Sequence, residues 1–164
     1  MIAFSLVFAL KLTLSAIPSD TQETGKERFS FMDIALIADD TKKELMTQFC
    51  IAYCGILSKH NICATSTTGK YVQEATGLEI EKLLPGYNGG EQQITSRISY
   101  NEIDVLLYFR STTPNANREL EEADYNLLRM CDVHNVPVAT NIATAEVLIC
   151  ALDRGDLDWR EMYR

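Results

Sequence analysis

The chain has 164 residues, 46% of them apolar and 23% charged, which fits one soluble globular domain and excludes a disordered chain, a fibre or a membrane bundle. Twenty-three acidic residues against 15 basic ones give a formal net charge of -8, with no run of Lys or Arg, so neither a nucleic acid nor an anionic membrane surface is expected as a partner. Any anion this protein binds must be held locally, by backbone N–H groups, hydroxyls and a few placed cations.

Residues 1–31 differ in character from the rest of the chain. Met1 to Leu10 is an apolar stretch that Lys11 interrupts, and Asp20 to Ser30 is polar and without pattern. About 10 apolar residues are too few to cross a bilayer, which takes roughly 20. Three readings of the segment stay open. It is a signal-peptide core, although no basic stretch precedes it and no small-x-small cleavage site stands cleanly near Ala16; or a flexible extension; or an upstream piece foreign to the native product, with Met32 as the true start. The expected organisation is an N-terminal extension over 1–31 and a folded domain over 32–164.

From Met32 the pattern is regular. Asp33-Ile-Ala-Leu-Ile-Ala38 is a continuous apolar run, the mark of a strand buried on both faces. A helix is expected behind it: Thr41 and Glu44 have the spacing of a capping box, and Leu45, Met46, Phe49, Cys50, Tyr53, Ile56 and Leu57 recur at helical spacing. Ile62 to Thr65 reads as a second strand, and Ser66-Thr-Thr-Gly69 leads into a helix that stops near Gly77. Gly86 to Gly90 is a glycine-rich loop opening a helix from Glu91 to Asn101, and Asp104 to Phe109 is the third clear strand. Residues 110–118 are loop, a helix over 119–134 turns Leu120, Ala123, Leu127, Leu128 and Cys131 inward, Val136 to Thr140 is a strand and Ala143 to Asp153 a helix. Strand and helix alternate. That predicts an α/β domain of three layers, α/β/α, around a mostly parallel central sheet with right-handed crossovers. Ligands in such sheets sit beyond the carboxyl ends of the strands. Chemistry is therefore expected at Asp39-Asp40-Thr41, Thr65 to Gly69, Arg110 to Arg118 and Thr140-Asn141, with the glycine loop near them.

Cys50, Cys54, Cys63, Cys131 and Cys150 show neither Cys-x-x-Cys nor a histidine at zinc spacing, so they read as buried, reduced thiols, and no metal site is expected. Lys42 and Lys43 fall in a first helical turn, where the macrodipole penalises a cation by about a few tenths of a kcal/mol. Either Asp39, Asp40 and Glu44 compensate it, or Lys43 points over the strand ends toward a bound anion. The hydroxyl-rich Thr65 to Gly69 segment offers a phosphate side-chain donors and free amides without net positive charge, and it reads equally as an ordinary cap and turn. Glu91 is a helix-start carboxylate behind glycines: a structural cap, or a general base that takes a proton alpha to a carbonyl while nearby donors hold the enolate oxygen.

Taken in order, Ala35-Leu-Ile-Ala-Asp-Asp-x-x-Lys43, Ala64-Thr-Ser-Thr-Thr-Gly69, Gly89-Gly-Glu-Gln-Gln93, the strand 104–109 and Asn135-Val-Pro-Val-Ala-Thr-Asn-Ile-Ala-Thr-Ala145 resemble the methylglyoxal synthase family, collinearly over residues 32–160. The resemblance implies a cytoplasmic homohexamer that converts dihydroxyacetone phosphate to methylglyoxal and inorganic phosphate, with no metal or organic cofactor. It implies a carboxylate that removes a proton, an enediolate that expels phosphate, and polar donors on the carbonyl side. Carried over residue by residue, Asp40, Lys43, Thr65, Thr67, Thr68 and Gly86 match positions that contact substrate or phosphate, with Asp39 and Pro85 beside them. Gly89, Gly90 and Gln92 match the catalytic loop, and Glu91 occupies the place of the catalytic Asp.

The departures fall in the site. Asp39 stands where the family has His, Ser66 where it has Gly, Pro85 where it often has Ser, and Tyr87 where it has Pro. The family's Asp-Pro-Leu and Pro-His-x-Pro-Asp segment corresponds to Ser111-Thr-Thr and Asn117-Arg-Glu-Leu-Glu121, with two inserted residues. Glu91 keeps a base but carries one extra methylene, a displacement of roughly 1 Å, and misplacements of that size cost about a hundredfold. Arg118 stands in for the missing histidine as an electrostatic donor, although a guanidinium cannot relay a proton. Asp39 beside Asp40 disfavours an anionic substrate unless one of the two is protonated. A C-terminal arginine contacts phosphate in the family, and the choice between Arg160 and Arg164 stays open. The expected function is a methylglyoxal synthase of reduced activity, with Glu91 as base, Asp40 and Arg118 near the carbonyl, and Lys43, Thr65, Thr67 and Thr68 on phosphate. The alternatives are a module of the same fold that holds a phosphorylated ligand without turnover, comparable to the allosteric domain of carbamoyl phosphate synthetase, and a pure scaffold.

Overall fold

The structure, a computed structural model, describes residues 30–111 and 118–164, the side chains of 118–121 excepted. Nearly all of the N-terminal extension, residues 1–29, lies outside the described residues. Five strands, β1 (Asp33–Ala38), β2 (Asn61–Thr65), β3 (Glu81–Leu83), β4 (Val105–Phe109) and β5 (Val138–Ala139), form one sheet in the order β3-β2-β1-β4-β5. Every pairing in it is parallel, so the sheet is more uniform than the mostly parallel one expected. The register puts Ala35 of β1 opposite Cys63 of β2 on one side and Leu106 of β4 on the other. The helices among the described residues are α1 (Lys43–Ala52), α2 (Cys54–Leu57), α3 (Ser66–Thr76), α4 (Gly90–Ser99), α5 (Arg118–Val133) and α6 (Ile142–Asp153).

Successive side chains of a strand point to opposite faces, so the apolar runs of β1 and β4 feed two cores. Ile34, Leu36, Val105, Leu107 and Phe109 meet Met46 and Phe49 of α1, Val72 of α3 and Ile149 of α6. Ala35, Ile37, Leu106 and Tyr108 meet Ile94 and Ile98 of α4 and Leu127 and Cys131 of α5. Each fully buried side chain of this size contributes about 1.5–3 kcal/mol, and together they fix which helices lie above the sheet and which below. This is the three-layer α/β/α arrangement.

Four local expectations are corrected. The capping box does not form: the Asp39 carboxylate accepts from the Thr41 amide at 3.1 Å and from its hydroxyl at 3.0 Å, a 3-10 turn covers Asp40–Lys42, and α1 starts only at Lys43. β3 is a strand without a strand pattern, because only Leu83 of its three residues is buried. β5 is two residues long, because Pro137 has no N–H for a ladder, although its carbonyl accepts from Leu106 at 3.0 Å. Cys50, Cys63 and Cys131 are buried, and burial pushes their thiols up to about 12, 11 and 12. Cys54 is half-buried and Cys150 is exposed, because it comes after the inward-facing Ile149 on α6.

Candidate active site

The sheet order makes β1 and β4 the point where the strand sequence reverses, with β2 and β3 laid to one side and β5 to the other. Loops leaving the carboxyl ends of β1 and β4 must diverge there, and open α/β sheets bind ligands in the resulting crevice. The crevice is anchored by the Asp39 amide, which donates to the Phe109 carbonyl at 3.0 Å.

The glycine loop reaches it from β3. Pro85 leads into a 3-10 turn over Gly86–Asn88, Gly89 takes φ +97°, a conformation that glycine adopts without strain, and α4 begins at Gly90. A Cβ on Gly90 would stand 2.1 Å from the Leu84 carbonyl oxygen, so that position admits no side chain. The Gly90 amide donates to the Pro85 carbonyl at 3.0 Å, and the Gln93 side chain accepts from the Leu84 amide at 2.8 Å. Locked in this way, the loop brings the Glu91 carboxylate back over Gly86, where an added Cβ would lie 3.6 Å from Oε1.

Burial, then the carboxylates of Asp124 and Asp39, push Glu91 up to about 7. Desolvation and like charge both disfavour the ionised form. Asp124 is itself well held: it accepts a hydrogen bond from the Tyr108 hydroxyl and a second from Arg110 at 3.3 Å, while the Arg110 guanidinium lies 5.8 Å over the Tyr108 ring. Burial first, and then the bond to Asp124, pushes the Tyr108 phenol well above its ordinary range. Sequence reasoning missed Tyr108 and Asp124, and reached Arg110 only as the first residue of a loop where chemistry was expected. The available signal was a lone tyrosine in an otherwise hydroxyl-free apolar strand with an arginine two residues on.

On the β2 side, Thr65 and Thr68 are buried and share a hydroxyl–hydroxyl bond of 3.1 Å. Thr65 therefore does not cap α3, and the first-turn amides keep the orphan character that every helix start has. The Ser66 amide donates to the Leu84 carbonyl at 3.3 Å and ties this helix start to the glycine loop, while Thr67 is exposed. Lys43 pairs with Asp40, with its side chain 14% exposed and that of Asp40 almost wholly in solvent. Asp39 is engaged by Thr41 and Asp40 by Lys43.

Asp39, Asp40, Lys43, Thr65, Thr67, Thr68, Pro85, Gly86 and Glu91 thus come to one end of the sheet. The side chain of Arg118 lies outside the described residues; its backbone opens α5. Neither candidate C-terminal arginine is at this end. Arg160 is fully buried against Asp104 at 3.4 Å and donates to the carbonyls of Ile103 and Asn135, and Arg164 pairs with Asp33 and Asp104, all at the amino ends of β1 and β4. A cleft of about 930 Å³ also opens at the amino ends, lined by His60, Asn61, Gln73, Glu81 and Arg97 among others. Its arginine is already spent on Glu81, and it lies opposite the titratable cluster. Among the described residues no group of three or more His, Cys, Asp or Glu side chains is arranged to hold a metal, and no helix is long and apolar enough to cross a membrane.

These features define a class: a doubly wound α/β domain that presents one carboxylate of near-neutral proton affinity, beside hydroxyls and helix starts, at the switch point of a parallel sheet. A family model described as the MGS-like domain matches residues 48–140. The methylglyoxal synthase of Caldicellulosiruptor saccharolyticus is 61% identical over 132 residues, which is 80% of this chain and 92% of that protein. That of Thermoanaerobacter sp. is 52% identical over 131 residues, 80% of this chain and 98% of the relative. The crystal structure of methylglyoxal synthase from Elizabethkingia anophelis superposes with a TM-score of 0.64 at 33% identity, covering 73% of this chain and 77% of that one. The chain belongs to the methylglyoxal synthase family.

Proposed function

We propose that this protein is a methylglyoxal synthase, a lyase that converts dihydroxyacetone phosphate to methylglyoxal and inorganic phosphate. The observation that carries the reading is Glu91, a part-buried carboxylate with a proton affinity raised to about 7, held over Gly86 by a locked glycine loop. A general base works best when its pKa lies near the working pH. Glu91 takes a proton from the carbon alpha to the carbonyl, and the electron pair moves onto the carbonyl oxygen to give an enediolate. The family resemblance assigns Asp40 and Arg118 to that side. The hydroxyl of the deprotonated carbon gives its proton to the enediolate oxygen. The electron pair left on it forms the aldehyde and expels phosphate with its bridging oxygen, which breaks the carbon–oxygen bond. The enol that remains tautomerises to methylglyoxal.

Lys43, Thr65, Thr67, Thr68 and the first-turn amides of α3 take the phosphate, with Pro85 and Gly86 against it. The sequence resemblance supports a homohexamer working in the cytoplasm on a domain of residues 32–164. Met32 fits that limit: it is 1% exposed, and its amide donates to His60 Nδ1 at 3.3 Å.

The test is purified full chain with dihydroxyacetone phosphate, following methylglyoxal and phosphate together. Wild type turns over, Glu91→Gln does not, and Glu91→Asp is faster than wild type because it restores the shorter reach. Turnover that survives Gln sinks Glu91 as the base, and a silent wild type sinks the enzyme.

A further inference from the structure

We propose that Gln93 is a positioning residue that sets the reach of Glu91 from the phosphate-binding helix start, because it holds Leu84, the backbone residue that both halves of the site share. The proposal rests on the reading of Glu91 as the base. Leu84 comes just past the pairing of Leu83 with Thr65, and its carbonyl accepts from the Ser66 amide at 3.3 Å. Ser66 opens α3, the helix whose first turn carries Thr67 and Thr68. The same carbonyl oxygen lies against Gly90, where a Cβ would stand 2.1 Å from it, and Gly90 directly precedes Glu91. The Leu84 amide donates to Oε1 of Gln93 at 2.8 Å. One residue is thus held by the helix that binds phosphate and by the helix that carries the base.

Gln93 lies just beyond Glu91 on α4, so its bond closes a loop that contains both the glycine turn and the base. Gln93 is exposed while Ile94 beside it is buried, so the glutamine side chain serves this bond and not a core. Two other bonds lie inside the loop and do not depend on Gln93: the Asn88 and Gly90 amides both donate to the Pro85 carbonyl, at 2.9 and 3.0 Å. Without the Gln93 acceptor the turn keeps these bonds, and Leu84 stays with α3, but α4 loses its side-chain tie to Leu84. Glu91 and the turn then shift as a body against Thr65, Thr68 and the α3 amides. The freed Leu84 amide is at an exposed site and takes a water instead, so the change falls on placement more than on folding.

The test uses the full chain as wild type, Gln93→Met, Gln93→Glu and Glu91→Gln. Methionine keeps the length of the side chain without the acceptor oxygen, and glutamate keeps an oxygen that accepts from an amide. In Gln93→Met, kcat for dihydroxyacetone phosphate should fall by about 10- to 100-fold, the cost of a displacement of about 1 Å, and Gln93→Glu should return it to within about fivefold of wild type. Calorimetric affinity for inorganic phosphate should stay within about twofold in both, as expected when only transition-state placement is lost. Amide exchange at Leu84, followed by NMR, should speed up by about three- to tenfold in Gln93→Met and hold its wild-type rate in Gln93→Glu. A merely structural role would lower the Tm of Gln93→Met and leave the kcat of the folded protein in place. The proposal is overturned by an unchanged kcat or unchanged Leu84 exchange in Gln93→Met, by a Gln93→Glu variant as slow as Gln93→Met, or by phosphate affinity that falls in step with kcat. An inactive wild type, or turnover that survives Glu91→Gln, overturns Glu91 as the base and with it the catalytic role of Gln93; because exchange needs no turnover, faster Leu84 exchange in Gln93→Met then leaves the tie between α4 and Leu84 standing.

Discussion

At the amino ends of β1 and β4, Asp33 and Asp104 meet arginines. At the carboxyl ends of the same strands, Asp39 and Glu91 meet another acid. Asp104 is fully buried, yet it accepts from Arg160, Arg164 and the Asp33 amide, and Arg160 spends its remaining donors on the carbonyls of Ile103 and Asn135. Each charge there has a partner, and the cluster ties the 3-10 turn Asp158–Tyr163 to the sheet. At the other end Arg110 is bonded to Asp124, and burial and the carboxylates of Asp124 and Asp39 all press on Glu91. The same residue types thus serve opposite ends: compensated acids hold the fold together, and an under-compensated acid keeps a proton that is exchangeable near neutral pH.

The contrast breaks first at Glu91. Replacing it with Gln should lower turnover of dihydroxyacetone phosphate by about 10²–10⁴-fold, the share a general base supplies, while the urea midpoint at pH 5 barely moves. At the opposite end Arg160→Ala should do the reverse. It removes a buried partner of Asp104 and orphans two carbonyls, which costs about 3–5 kcal/mol in urea unfolding, and the folded fraction should keep the wild-type pH profile. A displaced profile in Arg160→Ala would show that the two ends are coupled through the sheet. Lys43→Ala comes next. Losing one charged bond to phosphate is worth about 1.5–3 kcal/mol, roughly a 10- to 100-fold weaker calorimetric affinity for inorganic phosphate, with little change in stability because its partner Asp40 is solvent-exposed. Unchanged phosphate affinity would confine Lys43 to its pairing with Asp40.

The amino-acid order carried the fold well where burial is two-sided and poorly where it is not. Asp33–Ala38 and Val105–Phe109 are unbroken apolar runs because both faces of the strand are covered, and such runs survive any local ambiguity. Glu81–Leu83 is an edge strand with two exposed side chains, and its pairing to β2 comes from the neighbouring backbone rather than from its own residues. The candidate site divides in the same way. Thr65, Thr68, Gly86 and Glu91 belong to short contiguous motifs that a sequence displays directly. Asp124 is 33 positions from Glu91 and meets it only because α4 and α5 share one face of the sheet. Lys43 lies between two readings in the sequence because Asp40, three residues before it, is within reach as a local partner.

The smallest effect tests the cost of that under-compensated acid. Folded Glu91 holds its proton up to about 7, against an ordinary glutamate value of 4.5 that the unfolded chain approaches. Between these two pH values the folded state keeps a proton that the unfolded state has released. Stability contributed at this site therefore falls as pH rises from about 4.5 to about 7, and the penalty is complete above 7. Glu91→Gln removes the titration, so the variant should be more stable than wild type at pH 8 by about 1 kcal/mol, after discounting for partial solvent access. The difference should shrink toward zero as the pH approaches 4.5, read as urea midpoints at several pH values with an unchanged m-value. A gain of equal size at pH 5 and pH 8 would make it a packing effect and remove the electrostatic distinction between the two ends. A gain that tracks the titration would mean that the charge that unsettles the carboxyl end of the sheet is the one its chemistry uses.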